Sequence, residues 1–243
     1  MFNNQVLTDG AFGGNIHLSG PNLTVEEVDT PVLGEYICWR AGQKISSIYL
    51  LMEVEEDDNL ESLKCRAKSY DCSFTCNWCN SGHNVARLCL GQDCENASYQ
   101  WVEGKEKDGC FHFNMSHSLS PYAEESSMLE LTVEALDSFS YPKRRKRFYL
   151  RDIVKPDSPR VVSCQVVGQE LNVTIEPPSS WSSPYSFFSL ENEIEYILKD
   201  NGEIKKTSSA LIPKKISQFR VRCRDSFVLS TWSPWTPWKN VNY

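Results

Sequence analysis

The sequence predicts an all-β protein built from consecutive β-sandwiches, and three observations carry that prediction. Short stretches of alternating polarity recur about every ten residues between clusters of Gly, Pro, Asn and Ser, the spacing of sandwich strands. Ten cysteines are present, seven of them between Cys65 and Cys110, a density that points to disulfides and an oxidising compartment. No long helical period competes with the strand pattern. The alternation is plainest in 129–136 (LELTVEAL), 171–175 (LNVTI) and 219–223 (FRVRC).

With 243 residues there is room for two or three compact domains. Hydrophobic residues at 40% and charged residues at 23% are ordinary for a globular chain. A formal net charge of −7 and a pI near 5.2 argue against a nucleic-acid partner, which would require clustered Lys and Arg. No apolar run approaches membrane-spanning length; the most apolar stretch, Ile48 to Val54, is strand-sized and contains Glu53. Four Asn-x-Ser/Thr sequons, at Asn22, Asn96, Asn114 and Asn172, are candidate N-glycosylation sites and agree with secretion to the extracellular space. The opening MFNNQVLTDGAFGG has neither a basic n-region nor an apolar core, so it does not read as a signal peptide. The expectation is a fragment or a misassigned start.

Residues 1–56 form the first expected unit. Tyr36 lies two residues before Cys38, the tyrosine-corner spacing of an immunoglobulin domain; Val32 stands where an acidic residue is usual, so the match is partial. No Cys and no Trp precede Cys38. The unit is therefore read as a partial immunoglobulin-like domain, short of its first strands and weakly folded. The acidic run Glu55-Glu56-Asp57-Asp58-Asn59 is read as a solvated linker. A second unit follows over 57–154. Lys155-Pro156-Asp157-Ser158-Pro159 then makes a stiff elbow, because each Pro fixes its own φ and keeps its predecessor extended. The last unit covers 155–243.

Two motifs carry the functional reading. Cys65 and Cys76 enclose ten residues, and Cys76-Asn77-Trp78 follows at once. On a strand, Cys76 and Trp78 face the same way, so the Trp can lie against a disulfide to Cys65, worth about 3 kcal/mol by the chain-entropy model. The second motif is Trp232-Ser233-Pro234-Trp235-Thr236-Pro237-Trp238, with Trp at every third position, the period of polyproline II. Upstream, Arg220, Arg222 and Arg224 alternate with Phe219, Val221 and Cys223. Period two gathers the guanidiniums on one face, where indole rings between them would replace repulsion by cation–π attraction of about 0.5–1 kcal/mol per exposed pair.

The C-x10-C-x-W arrangement resembles the first fibronectin-type module of class I cytokine receptors, and the Trp ladder resembles their W-S-x-W-S box, with Thr236 in place of the second Ser. The W-x-x-W spacing also matches that box's C-mannosylation pattern at Trp232 and Trp235. Together with CRAKSYDCSFTCNW, AEESSMLELTVEAL, FYLRDIVKPDSP and WSSPYSFFSL, the chain resembles, over about 20–238, the family of beta chains shared by interleukin-12 and interleukin-23, of fish type. The resemblance implies a partial immunoglobulin-like domain followed by two fibronectin type III β-sandwiches. It implies a secreted subunit that binds a four-helix-bundle cytokine alpha subunit at the elbow and reaches a cell-surface cytokine receptor as a heterodimer in immune signalling. Positions matching the family's alpha-subunit groove are Tyr70, Pro121, Glu124 and Phe187. Ordinary interdomain packing is the competing reading for Tyr70 and Phe187.

This chain departs from the family pattern at its cysteines. Aligning Pro121 with the family's proline puts Ser120 where the interchain cysteine normally stands. The middle domain holds Cys65, Cys72, Cys76, Cys79, Cys89, Cys94 and Cys110, an odd number, so one of them links the partner or the heterodimer is noncovalent. Cys110 is expected to close with Cys89 or Cys94. Cys164 and Cys223 stand alone in the last domain and are expected to bond to each other.

Rival readings are weaker. Cys72, Cys76 and Cys79, with His83, Cys89 and Cys94 nearby, have a zinc-like spacing, but Cys76 is already claimed by Cys65. The basic run Lys143-Arg144-Arg145-Lys146-Arg147 is read as a hairpin-type loop between two strands, with glycosaminoglycan as a possible partner. His17, His83, His112 and His117 form no metalloprotease spacing, and no nucleophile elbow or phosphate loop is present. The expectation is a binding protein, not an enzyme, with no cofactor and no metal. The alternative function is a soluble or truncated class I receptor ectodomain that captures a helical cytokine.

Overall fold

The computed structural model describes residues 1–2, 5–54, 62–79, 82–96, 98–136 and 140–241. The acidic run at 55–59 lies outside the described residues. The described chain is almost entirely β. In order, its strands are β1 (Ile16–Ser19), β2 (Asn22–Val25), β3 (Gly34–Arg40), β4 (Gln43–Leu50), β5 (Met52–Val54), β6 (Leu63–Arg66), β7 (Ser73–Cys79), β8 (Val85–Leu90), β9 (Trp101–Glu103), β10 (Lys105–Lys107), β11 (Cys110–Ser116), β12 (Leu129–Leu136), β13 (Ser140–Phe148), β14 (Arg160–Val167), β15 (Glu170–Glu176), β16 (Leu190–Leu198), β17 (Ile204–Thr207), β18 (Leu211–Pro213), β19 (Ile216–Asp225) and β20 (Lys239–Asn240). One four-residue helix, α1 (Leu150–Ile153), is also described. Contacts divide the chain into two units: 1–63 with 78–113 and 130–146, and 64–77 with 114–129 and 147–243.

In the first unit, β3 and β4 form a hairpin whose turn residues Ala41 and Gly42 have φ of 50° and 80°. Two successive positive φ values match the twist of the flanking strands. Phe2, Ile16 and Tyr36 make a small core, with the Phe2 and Tyr36 rings 4.9 Å apart. The Tyr36 hydroxyl donates to the Val32 carbonyl at 2.6 Å, closing a tyrosine corner. Along β3 and β4, by contrast, Trp39, Ile45, Ile48 and Tyr49 are exposed, so much of this two-stranded sheet is uncovered.

Further along the same unit, a five-stranded sheet has the order β5-β13-β12-β8-β9. Along the alternating strand LELTVEAL, Glu130, Thr132 and Glu134 are buried together with Leu131, Val133 and Ala135. Strand β12 is internal to the sheet, and neighbouring cations cover its outer face. Arg87, directly opposite Glu134, binds it at 2.5 Å, and Lys143 approaches to 3.8 Å. A buried carboxylate requires such partners.

The basic run corrects the expectation of a loop, because residues 143–147 all lie within β13. Lys143 spans to Glu95 at 2.7 Å as well as to Glu134, and Lys146 donates to the Leu63 carbonyl at 2.6 Å. Consecutive cations on a strand project to opposite faces in turn, and acceptors beside them, as at Lys143 and Lys146, are compatible with extended pairing.

The second unit contains a sandwich of a three-stranded sheet, β14-β15-β18, and a four-stranded sheet, β17-β16-β19-β20. Its core is Leu171, Val173, Ile194, Tyr196, Ile212, Ile216, Phe219 and Val221. Leu171 and Val173 on β15, Ile194 and Tyr196 on β16, and Phe219 and Val221 on β19 hold alternate positions, the pattern that inward-facing sandwich strands require. Ile212 on β18 and Ile216 at the start of β19 complete the core.

Candidate functional site: a tryptophan–arginine ladder and an aromatic cavity

Strand β19 alternates cleanly. Phe219, Val221, Cys223 and Asp225 are buried, while Arg220, Arg222 and Arg224 stand half-exposed on the other face. The Arg220 guanidinium lies 4.8 Å from the Trp235 ring and 4.4 Å from that of Trp238. Arg222 sits between Trp232 at 4.6 Å and Trp235 at 4.4 Å, and Arg224 lies 4.4 Å over Trp232. Tryptophan and arginine therefore alternate through the stack, as their spacing in sequence requires.

What the sequence did not announce is the acidic row behind it. Glu195, Glu193 and Glu191 on β16 stand directly opposite Arg220, Arg222 and Arg224. The first two bind at 2.5 and 2.6 Å, and Glu191 pairs with Arg224. Each guanidinium thus gives its N–H fork to a carboxylate and its faces to indoles. The signal existed: Glu-Asn-Glu-Ile-Glu has the same period of two as the arginines.

Small hydroxyls fix the Trp segment to β19. Ser233 and Thr236 donate their amides to the Cys223 and Val221 carbonyls, both at 2.8 Å. Their side-chain oxygens accept the Cys223 and Val221 amides at 3.0 and 2.9 Å. Ser230 accepts the Asp225 amide in the same way at 3.0 Å. Thr236 supplies the same oxygen as Ser233, so its replacement of Ser leaves the bond intact.

Beyond the ladder, β19 ends in a cavity of about 640 Å³. Tyr70, Pro121, Glu124 and Phe187, the four positions proposed for partner binding, all line it. Sequence reading missed Tyr122, Glu125, Phe188, Asp225 and Phe227 on the same walls. Tyr70 stacks on Phe188 at 5.5 Å and meets Trp181 edge-on at 5.8 Å. Tyr122 lies 5.3 Å from Phe187 and 5.6 Å from Phe188. Phe187 and Tyr122 are 56% and 61% exposed, and Phe227 is 91% exposed. Large apolar rings held open to solvent mark a binding surface more often than a core.

The floor of the cavity is polar. Asp225, only 4% exposed, accepts the Phe227 and Val228 amides at 2.7 and 2.9 Å. Burial first, then the charge of Asp225 and its hydrogen bond, raise the Tyr70 phenol well above its ordinary pKa. Glu125 accepts the Leu150 and Arg151 amides and pairs with Arg151 at 3.8 Å. The cavity therefore combines aromatic walls with carboxylates, a chemistry suited to a protruding cationic side chain.

The cysteines depart from expectation at two points. Cys65 bonds Cys76, and the middle segment also contains Cys79–Cys110 and Cys89–Cys94. Cys110 thus pairs with Cys79 rather than with Cys89 or Cys94, and the odd cysteine is Cys72, free and exposed. Cys164 and Cys223 are both free thiols, contrary to the expected bond. Cys164 lies on β14, an edge strand, and is exposed; Cys223 is buried, its Sγ directed to the Asp157 carbonyl at 3.6 Å.

The remaining predicted positions sit at the surface. Asn22, Asn96, Asn114 and Asn172 are all exposed. Among the described residues no cluster of three His, Cys, Asp or Glu could hold a metal. No helix there is long and apolar enough to cross a membrane.

A β-sandwich whose arginine–tryptophan ladder is sewn to the strand by Ser and Thr, together with a C-x10-C-x-W segment whose disulfide is formed, carries both motifs on which the resemblance to class I cytokine receptors rests. A family model described as "Cytokine interleukin-12p40 C-terminus" matches residues 61–137. Interleukin-12 subunit beta of Equus caballus is 30% identical over 253 residues, covering 89% of this chain and 77% of the relative. That of Homo sapiens is 29% identical over 252 residues with the same coverage, and that of Felis catus 28% identical over 253 residues. The chain belongs to the interleukin-12 subunit beta family and is a cytokine subunit.

Proposed function

We propose that this chain is secreted and binds a four-helix-bundle alpha subunit at the cavity lined by Tyr70, Pro121, Glu124 and Phe187, forming a heterodimeric interleukin-12/interleukin-23-type cytokine. The heterodimer then engages a cell-surface cytokine receptor in immune signalling. The observation that carries this reading is the convergence of those four residues with Tyr122, Phe188 and Asp225 on one open, aromatic and acidic cavity. A bundle helix that projects an Arg or Lys would place its charge near Asp225 and Glu124 and its aliphatic stem along Phe187 and Tyr122. The reading is of a binding protein without enzymatic activity or cofactor.

Further elements belong to the same reading: domains over 1–56, 57–154 and 155–243, N-glycans at Asn22, Asn96, Asn114 and Asn172, and C-mannose on Trp232 and Trp235. Glycosaminoglycan binding at Lys143–Arg147 is a lesser element, since Lys143 and Lys146 already have protein partners.

Co-expression with candidate helical alpha subunits is the test. The reading expects co-secretion of a complex, and at least tenfold weaker association for Phe187→Ala and for Asp225→Asn. Efficient secretion of the chain alone, with later capture of a free helical cytokine, would instead indicate a soluble receptor. Unchanged association in both variants would remove the cavity from consideration.

A further inference from the structure

Tyr70 reaches the cavity from the segment that follows β6, whereas Phe187, Phe188 and Asp225 come from the C-terminal sandwich. What holds the two together is written in the four residues before Tyr70. Arg66 donates through Nε to the Lys155 carbonyl at 2.9 Å, and through Nη2 to the Pro156 carbonyl and the Asp157 carboxylate, each at 2.8 Å. The second Asp157 oxygen takes Lys68 at 3.1 Å and the Ser180 hydroxyl at 2.9 Å. Between these contacts the backbones pair in parallel: the Ala67 amide donates to the Ile153 carbonyl at 3.0 Å, and the Lys155 amide to the Ala67 carbonyl at 2.8 Å. Ser69, fully buried, accepts the Ser182 amide at 2.6 Å and shares a 2.7 Å hydroxyl contact with Ser182.

Residues 66–69 are thus bound in succession to 153–157 and 180–182. Pro156 and Pro159 already restrict the elbow by fixing φ; Arg66 adds an anchor on two consecutive carbonyls and a carboxylate, which needs the planar fork of arginine. We propose that Arg66 is a positioning residue for the partner cavity. It locks the elbow so that the Tyr70 ring is already stacked on Phe188 before a partner arrives. This rests on the reading of the cavity as the partner site. A preorganised surface binds faster and more tightly because less motion is lost on association.

Two readouts separate the inference from the reading beneath it. The first is hydrogen exchange of the Ala67 and Lys155 amides in the isolated protein. Arg66→Ala should speed their exchange at least tenfold. Arg66→Lys, which retains the charge without the fork, should give an intermediate value and covers the case in which the alanine variant does not fold. Unchanged exchange in both variants would overturn the inference, whatever the partner.

The second readout is the association rate with a co-expressed helical alpha subunit. It should fall about tenfold in the Arg66 variants and stay at the wild-type value in Ile212→Val, a core change that lowers stability away from the elbow. An equal fall in Ile212→Val would reduce Arg66 to a purely structural role. A wild-type chain that binds no alpha subunit, with exchange still accelerated in Arg66→Ala, would refute the partner reading and leave the elbow lock standing.

Discussion

Glu193 stands directly across the β16–β19 pair from Arg222, and the guanidinium it holds at 2.6 Å lies between the rings of Trp232 and Trp235. The Arg220 and Arg222 rungs each join a carboxylate, a guanidinium and two indole faces, and the Arg224 rung joins Glu191 and the Trp232 ring. Arg222→Ala removes the ring contacts and leaves Glu193 without its partner. The expected loss is about 2–3 kcal/mol, below the cost for a fully buried pair, because about a fifth of each side chain meets solvent. Arg222→Lys should lose about half as much, since an ammonium cannot present the same fork or stack as a plane. Denaturant titration of the two purified variants checks both values; a loss under about 0.5 kcal/mol in Arg222→Ala would place the ladder among weak surface pairs.

The disulfides differ in what they close. Cys65–Cys76 joins residues 11 apart and Cys89–Cys94 residues 5 apart. The chain-entropy model assigns about 3 kcal/mol to the former and less to the latter. Replacing Cys65 and Cys76 together by Ala should therefore lower the unfolding free energy more than the same change at Cys89 and Cys94, measured on chains with the remaining bridges intact.

Thiol labelling should count four free cysteines in two classes. Cys38, Cys72 and Cys164 are exposed, whereas Cys223 is buried, its thiol pushed up to about 11 chiefly by that burial. Alkylation at pH 8 should modify the first three in the native protein and Cys223 only after unfolding, because the thiolate is the reacting form. A Cys164–Cys223 bridge would show instead as two thiols on unfolding, and peptide mapping would locate it.

Alkali probes two partly buried phenols. Burial, and then Asp225, raise the pKa of Tyr70; burial and Glu134 do the same for Tyr141. A raised value in the fold means that the neutral phenol stabilises the native state fully below the unfolded pKa of about 10, and that this contribution is lost as pH climbs above it. Absorbance titration should find Tyr70 and Tyr141, with Tyr36, whose phenol burial also raises, ionising later than the other tyrosines, and stability should decline above about pH 10. Ordinary ionisation of every tyrosine in the folded protein would contradict the surroundings of these rings, partial burial beside Asp225 and Glu134.

The elbow responds at the other end of the scale. Burial opposes ionisation of Asp157, but Ser180, Lys68 and Arg66 outweigh it and leave the pKa lowered. A lowered value contributes stability above the unfolded pKa of about 4 and loses it as pH falls through the folded value. Amide protection at Lys155 should therefore hold from pH 7 to 5 and weaken only in stronger acid. Loss of protection near pH 6 would point to a different group.

The features readable from the sequence were those set by short, fixed periods. Trp232, Trp235 and Trp238 recur every third residue and Arg220, Arg222 and Arg224 every second, so their interleaving was legible. Their carboxylate partners were not, because opposing Glu193 to Arg222 depends on the register between strands 29 positions apart in sequence. The same limit hid Cys79–Cys110, which joins β7 and β11, neighbours only once the sheet order is known. Counting cysteines within a domain gave the wrong answer for Cys164 and Cys223, since the count says nothing of which side of the sheet, or how near its edge, a thiol stands. The run at 143–147 reads as a loop because it falls between the strand-like stretches LELTVEAL and FYLRDIV; in the fold it lies within β13, where Glu95 and Glu134 supply countercharge to Lys143. At the cavity, resemblance supplied Tyr70, Pro121, Glu124 and Phe187; Tyr122 and Phe188 are the next residues along the chain from Pro121 and Phe187, whereas Asp225 joins them from the end of β19, which only the fold brings near.

The hydrogen bonds of Ser230, Ser233 and Thr236 have a consequence for how the molecule behaves in a crowd. Strand β19 pairs with β16 on one side, and its other side would present a long row of unused amides and carbonyls, the template on which foreign strands add. The tryptophan segment occupies that row at residues 221–225, and β20 covers Gln218 and Phe219. The segment thereby works as a selvedge that keeps the sheet from fraying into its neighbours. Loss of those hydroxyls should appear first as aggregation during synthesis, before any change in what the finished protein can bind.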